Sequence, residues 1–185
     1  MPRSNVSPTD VYMQFFPIML DAATGDNVED LLSADFNTGL SIRGEYFWLI
    51  HKVEWHFLLK AILVGLGAGW HGAFQFALST RSGLTVMPQP EDPGVVAYMR
   101  HIVSGIPSTT DEIWFGPLTF FDTFSPSLPL AAPKLNIYLQ GVTGAGTAPD
   151  WVAGRKLTAR IGFTTAPLTS QMYDEIAETW AYNTY

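Results

Sequence analysis

The sequence predicts an all-β protein, an antiparallel β-sandwich closed by one short C-terminal helix. Three observations carry this. Proline and glycine, 13 and 16 residues of 185, cut the chain into short segments at "PQPEDPG" (88–94), "GIPSTTDE" (105–112), "SPSLPLAAP" (125–133) and "GAGTAPD" (144–150). The segments between are apolar or alternating and rich in β-branched and aromatic residues, which suit a pleated, half-buried surface. Helical periodicity is clear in one place only, near the end.

In chain order, strands are expected at about 11–16, 40–58, 72–80, 83–87, 95–103, 113–121, 134–142 and 156–164, within ~2–4 residues. In "LTSQMYDEIAETWAY", Thr169 or Ser170 caps a helix. Asp174 and Glu175 fall near its positive N-terminal end, and Met172, Ile176 and Trp180 recur every four residues. A second short helix is expected at 26–34, "DNVEDLLSA". These elements fit one domain: an arm at 1–10, a single sandwich over 11–168, and a helix with its tail over 169–185. Many short strands with Gly/Pro turns are the pattern of a sandwich or barrel. A jelly roll manages the exposed-edge hazard with two packed sheets.

Composition narrows function. Hydrophobic residues make up 47% and aromatic residues 14%, against 15% charged, where about 25% charged is usual. So much apolar surface with so few charges implies that partners cover part of it. Net charge is −7, and the segment "MPRSNVSPT" carries Arg3 as its single cation. Neutralising phosphates takes several Lys or Arg, so direct nucleic-acid binding is not expected. No cysteine is present, which removes disulfides and zinc ribbons. Asp10, Pro17 and Asp21 break up the pattern a signal peptide would need.

The stretch "FWLIHKVEWHF" (47–57) tests for a metal or catalytic centre. Read as a strand, Phe47, Leu49, His51, Val53, Trp55 and Phe57 share one face, and Tyr46, Trp48, Ile50, Lys52, Glu54 and His56 share the other. His51 then points away from Glu54 and His56, and the trio cannot ligate one ion. Its spacing also fails the helical zinc-protease pattern. No metal and no cofactor is expected. Lys52, Glu54 and His56 read as a polar stripe facing solvent or a neighbour.

Other motifs dissolve in context. "GAGWHG" (67–72) matches a dinucleotide fingerprint without the βαβ unit it requires, and reads as a Gly-rich turn. The uncharged run 61–80 has the length of a membrane span but divides better at its glycines into two strands. There is no G-x-S-x-G, and the paired acids fall in turns or at helix starts, so no constellation passes the geometric test for catalysis. The six tryptophans read mainly as core and interface mass.

At the level of pattern the sequence resembles the single-jelly-roll major capsid proteins of icosahedral viruses. Three stretches carry the resemblance: "FNTGLSIRGEYFWLIHKVEW", "FALSTRSGLTVMPQPEDPGVV" and "KLTARIGFTTAPLTSQMYDEIAETW". It implies a self-assembling structural protein of the virion rather than an enzyme, forming trimers, pentamers or hexamers on an icosahedral lattice. Such shells often carry a basic N-terminal arm, which "MPRSNVSPTD" is not. That departure favours a shell partnered by another shell protein or an internal-membrane protein. The expected inter-subunit contacts are Trp48, Lys52, Glu54 and His56 on the long strand and Trp180, Tyr182 and Tyr185 in the tail. Two other readings stand beside it: a carbohydrate-binding sandwich module or sandwich-fold enzyme, and a membrane-associated protein.

Overall fold

The computed structural model describes residues 14–22, 29–40, 46–61, 63–64, 71–103, 113–145, 150–151, 155–167, 169 and 176. The strands are β1 (Gln14–Ala22), β2 (Leu32–Asn37), β3 (Tyr46–Ala61), β4 (Leu63–Val64), β5 (His71–Ser79), β6 (Val95–Val103), β7 (Ile113–Leu130), β8 (Lys134–Ala145), β9 (Asp150–Trp151) and β10 (Arg155–Pro167). They form two four-stranded sheets, ordered β1-β10-β3-β7 and β2-β8-β5-β6, with β4 and β9 as a separate pair.

Every described pairing is antiparallel. Leaving aside the short β4 and β9, the first strand pairs with the last (β1·β10), the second with the next to last (β2·β8), the third with β7, and β5 with β6. That is one long hairpin rolled up so that its pairs fall alternately into two facing sheets. The fold is a jelly roll, as the sequence predicts.

The sheets meet through alternating apolar residues. Ile18 and Leu20 of β1, Leu157, Ala159, Ile161 and Phe163 of β10, and Val53, Trp55 and Phe57 of β3 pack against Phe74, Phe76 and Leu78 of β5 and Leu135, Ile137 and Leu139 of β8. Burial at roughly 25 cal/mol per Å² of apolar surface makes this layer the main source of stability. Aromatic rings knit it together: Phe57 lies 5.1 Å from Phe74 and 5.0 Å from Phe76, centroid to centroid.

Several expectations need correction. Residues 30–34 do not form a helix: Leu32–Ala34 begin β2, whose "LSADFN" alternates in burial and pairs with Leu139–Lys134 of β8. Long-range pairing overrides a modest helical propensity. The strand expected at 83–87 is irregular chain. This segment instead lays Leu84 and Met87 on Ala77 and Tyr138, covering the outside of the β2-β8-β5-β6 sheet. Gly94 closes that loop with φ +82°, and a Cβ there would meet Thr80 Oγ1 at 2.7 Å, so only glycine fits.

β7 runs on through the prolines of 125–130, because an edge strand needs no N–H on its outer side. Of the expected C-terminal helix, Ile176 is described. It is helical and buried beside Phe47 and Ala131. The turn at 65–70, the arm at 1–10 and the start of the first strand lie outside the described residues. Among the described residues no helix is long and apolar enough to cross a membrane.

Candidate interaction surface on the β1-β10-β3-β7 sheet

A bulge at His51 decides what faces outward. Gly162 opposes Lys52 and Phe163 opposes Ile50, so His51 has no partner on β10. On β7 the register jumps from Leu128 opposite Ile50 to Thr123 opposite Lys52. An extra residue of this kind switches the faces of a strand. Strict alternation over 46–57 therefore fails: Trp48 and Ile50 join Val53, Trp55 and Phe57 inside, while Phe47 and Leu49 turn out beneath Ile176. Trp48, expected at a subunit contact, is 5% exposed and stacks on Phe163 at 4.0 Å.

The bulge also moves His51. Its Nε2 lies 2.9 Å from Thr164 Oγ1 and its Nδ1 2.8 Å from Ser127 Oγ. On β10 the odd-numbered residues 157–163 face the core, so Thr164 and Arg160 share the outer face. His51 therefore lies on the same side as Glu54 and His56, contrary to the sequence reading. The three do not converge, because two hydroxyls hold the His51 ring away. Among the described residues no group of three or more His, Asp or Glu is placed to hold a metal.

Lys52, Glu54 and His56 do share the outer face, and β10 brings Arg160 opposite Glu54. Glu54 Oε1 accepts a hydrogen bond from Lys52 Nζ at 2.7 Å, and Oε2 stands 3.2 Å from Arg160 Nη1 and 3.8 Å from His56 Nε2. These neighbours cover the carboxylate, leaving Glu54 8% exposed, although it sits on the sheet surface and its field is screened by solvent. The hydrogen bond from Lys52 is the largest effect and lowers the carboxyl pKa below its ordinary value. Burial opposes this, and the charges of Lys52, Arg160 and His56 add to the lowering. His56 Nδ1 faces Thr119 Oγ1 at 3.3 Å.

Phe15 of β1 lies beneath both cations, 5.0 Å from Lys52 Nζ and 4.6 Å from the Arg160 guanidinium carbon. Such contacts favour a cation over a ring face. Around this charged centre Phe15, Met19, Leu58 and Phe121 stay exposed. The other sheet has its 80–94 loop laid over Ala77 and Tyr138; here large apolar side chains meet solvent around a compact ionic cluster, the pattern of a contact surface. Sequence reasoning missed Phe15, Arg160 and Phe121. Only the register places them beside Glu54. Trp180, Tyr182 and Tyr185 lie outside the described residues.

No protein-family model matches this chain, and no curated protein matches its sequence. Solved structures resemble it in fold. VP1 of trichodysplasia spinulosa-associated polyomavirus, in complex with GM1 oligosaccharide, aligns with a TM-score of 0.51 at 10% identity, covering 88% of this chain and 98% of VP1. This chain has the jelly-roll fold of a viral capsid protein. Lesser similarities reach the Merkel cell polyomavirus VP1 unassembled pentamer (TM-score 0.45, 11% identity, 87% and 98% coverage) and turnip yellow mosaic virus (0.33, 14%, 92% and 88%). At those scores they add nothing to the assignment. The shared property is the fold; function has to be argued from the surface.

Proposed function

We propose that this chain is a self-assembling shell subunit, the major capsid protein of an icosahedral virus, acting in the virion through contacts with copies of itself. The observation that carries the reading is the rolled pairing of β1·β10, β2·β8, β3·β7 and β5·β6, which aligns over nearly the whole of a capsid VP1. The exposed rim of Phe15, Met19, Leu58 and Phe121 around Lys52, Glu54, His56 and Arg160 supplies a surface for a neighbouring subunit. Tail residues Trp180, Tyr182 and Tyr185 and the 1–10 arm are assigned as ties between subunits within a trimeric, pentameric or hexameric capsomer. Another shell protein or an internal-membrane protein completes the particle, because Arg3 alone gives the arm little hold on a genome.

Sedimentation and negative-stain microscopy of the purified chain over a range of salt and protein concentration test the reading. Rings or closed particles of uniform size are expected. A chain that stays monomeric throughout, or that binds immobilised glycans as a monomer, overturns it.

A further inference from the structure

The four strands at the sheet edges are not equally protected. β1 carries Pro17, and β7 carries Pro117, Pro126 and Pro129. β2 is six residues long with exposed Asp35. These are the devices that stop an edge from recruiting another strand. β6, "VVAYMRHIV", is nine residues long and has no proline. Its one irregularity is at its start, where Leu78 opposes Ala97 and Ser79 opposes Val95, leaving Val96 bulged. Among the described residues β6 pairs on one side only, with β5. Beside its first half an open cleft of about 270 Å³ separates it from Asp122–Phe124 of β7. Near its other end Ile102 is 71% exposed.

We infer that β6 is a pairing edge whose partner is β6 of a second copy, running antiparallel about a two-fold axis through Met99. This rests on the shell reading and names one contact within it. The residues select the register. With the axis at Met99, Arg100 lies opposite Tyr98 of the second copy and His101 opposite Ala97. A guanidinium then meets an aromatic ring, and no charge faces its like. Moving the axis to Arg100 sets two guanidiniums against each other; moving it to His101 does the same with two imidazoles. Placing it at Tyr98 shortens the overlap and sets Arg100 against the bulged Val96. In the Met99 register Ile102 of each copy reaches the bulged start of the other's β6, beside the cleft. Two β2-β8-β5-β6 sheets become one eight-stranded sheet, and the open edge disappears.

The chain has no cysteine, so introduced thiols report proximity without background. Directly opposed residues in an antiparallel pair place Cβ atoms ~4.5–5.5 Å apart, close to disulfide range. Tyr98→Cys and Arg100→Cys variants of the full chain are mixed and oxidised. A Tyr98→Cys/Arg100→Cys disulfide heterodimer is expected, several-fold above the level from either variant alone. Val86→Cys mixed with Arg100→Cys is the control, because Val86 is exposed in the 80–94 loop. Cross-linking no greater than this control, in variants with native circular dichroism, overturns the inference. Preferential Arg100→Cys homodimers overturn it too, because they mark a different register. Particles without the heterodimer leave the shell reading standing and remove this contact; the heterodimer without particles does the reverse.

Discussion

Asp122 joins packing, hydrogen bonding and titration at one position. Trp55 is fully buried and donates its indole N–H to Asp122 Oδ2 at 3.1 Å. Asp122 also lines the cleft beside β6. Burial holds its carboxyl above the ordinary value of 3.8, against the lowering effect of the Trp55 bond. Asp122→Ala leaves a buried indole N–H without its acceptor, at a cost of about 1–3 kcal/mol. At roughly 2–4 °C per kcal/mol for a chain of this size, the melting temperature should fall by about 2–12 °C.

Asp122→Asn keeps an acceptor oxygen and removes the charge, so it should match or exceed the parent at neutral pH. Because the folded pKa is raised, this group's contribution to stability is fully present below the unfolded carboxyl's value. It is lost as pH rises through the folded value. The parent should therefore lose stability over that window, and the Asn variant should lose less. Calorimetry or circular dichroism melts from pH 3.5 to 7.5 read both effects. An Ala variant as stable as the parent would refute the contribution of the Trp55–Asp122 hydrogen bond, and an Asn variant with an unchanged pH slope would refute the raised carboxyl pKa.

Two further outcomes follow from the bulge. Trp48→Ala should cost about 3–5 kcal/mol in urea unfolding, as for a large aromatic removed from a packed core. Phe121→Ala on the exposed face should change stability by no more than about 0.5 kcal/mol while weakening particle formation; the reverse ranking would place Trp48 on the surface after all. Deleting His51 removes the extra residue, so that Trp48, Ile50, Val53, Trp55 and Phe57 fall on one face of a strictly alternating β3 and all keep to the core. The deleted chain should therefore still melt cooperatively, as should His51→Ala, each at a lower temperature because the bonds to Thr164 and Ser127 are lost; loss of the cooperative melt on deletion alone would refute this assignment of faces.

How much could be read beforehand varies along the chain. β5, β6, β8 and β10 lie close to where alternation and Gly/Pro punctuation put them, because each takes its period from its own residues. Burial of Ile176 agrees with its place in the helical repeat. β2 was hidden because "LSADFN" has little strand character until β8 lies beside it. The 83–87 segment has β-branched residues and no ladder; it became a cover for Tyr138. The prolines at 126 and 129 read as breaks, and do not break an edge strand.

Local chemistry, then, was enough to specify an extended, alternating chain, its turns and its shortage of charge, because those properties depend on each segment's own side chains. The faces of the longest central strand were settled elsewhere. Four residues of β7, Phe124–Ser127, lie between the partners of Ile50 and Lys52, and that mismatch bulges His51, sends Trp48 inward and gathers Phe15, Lys52, Glu54 and Arg160 on one surface. A register between strands some seventy residues apart is a property of the closed sandwich, because it exists only once both sheets have met across their common core.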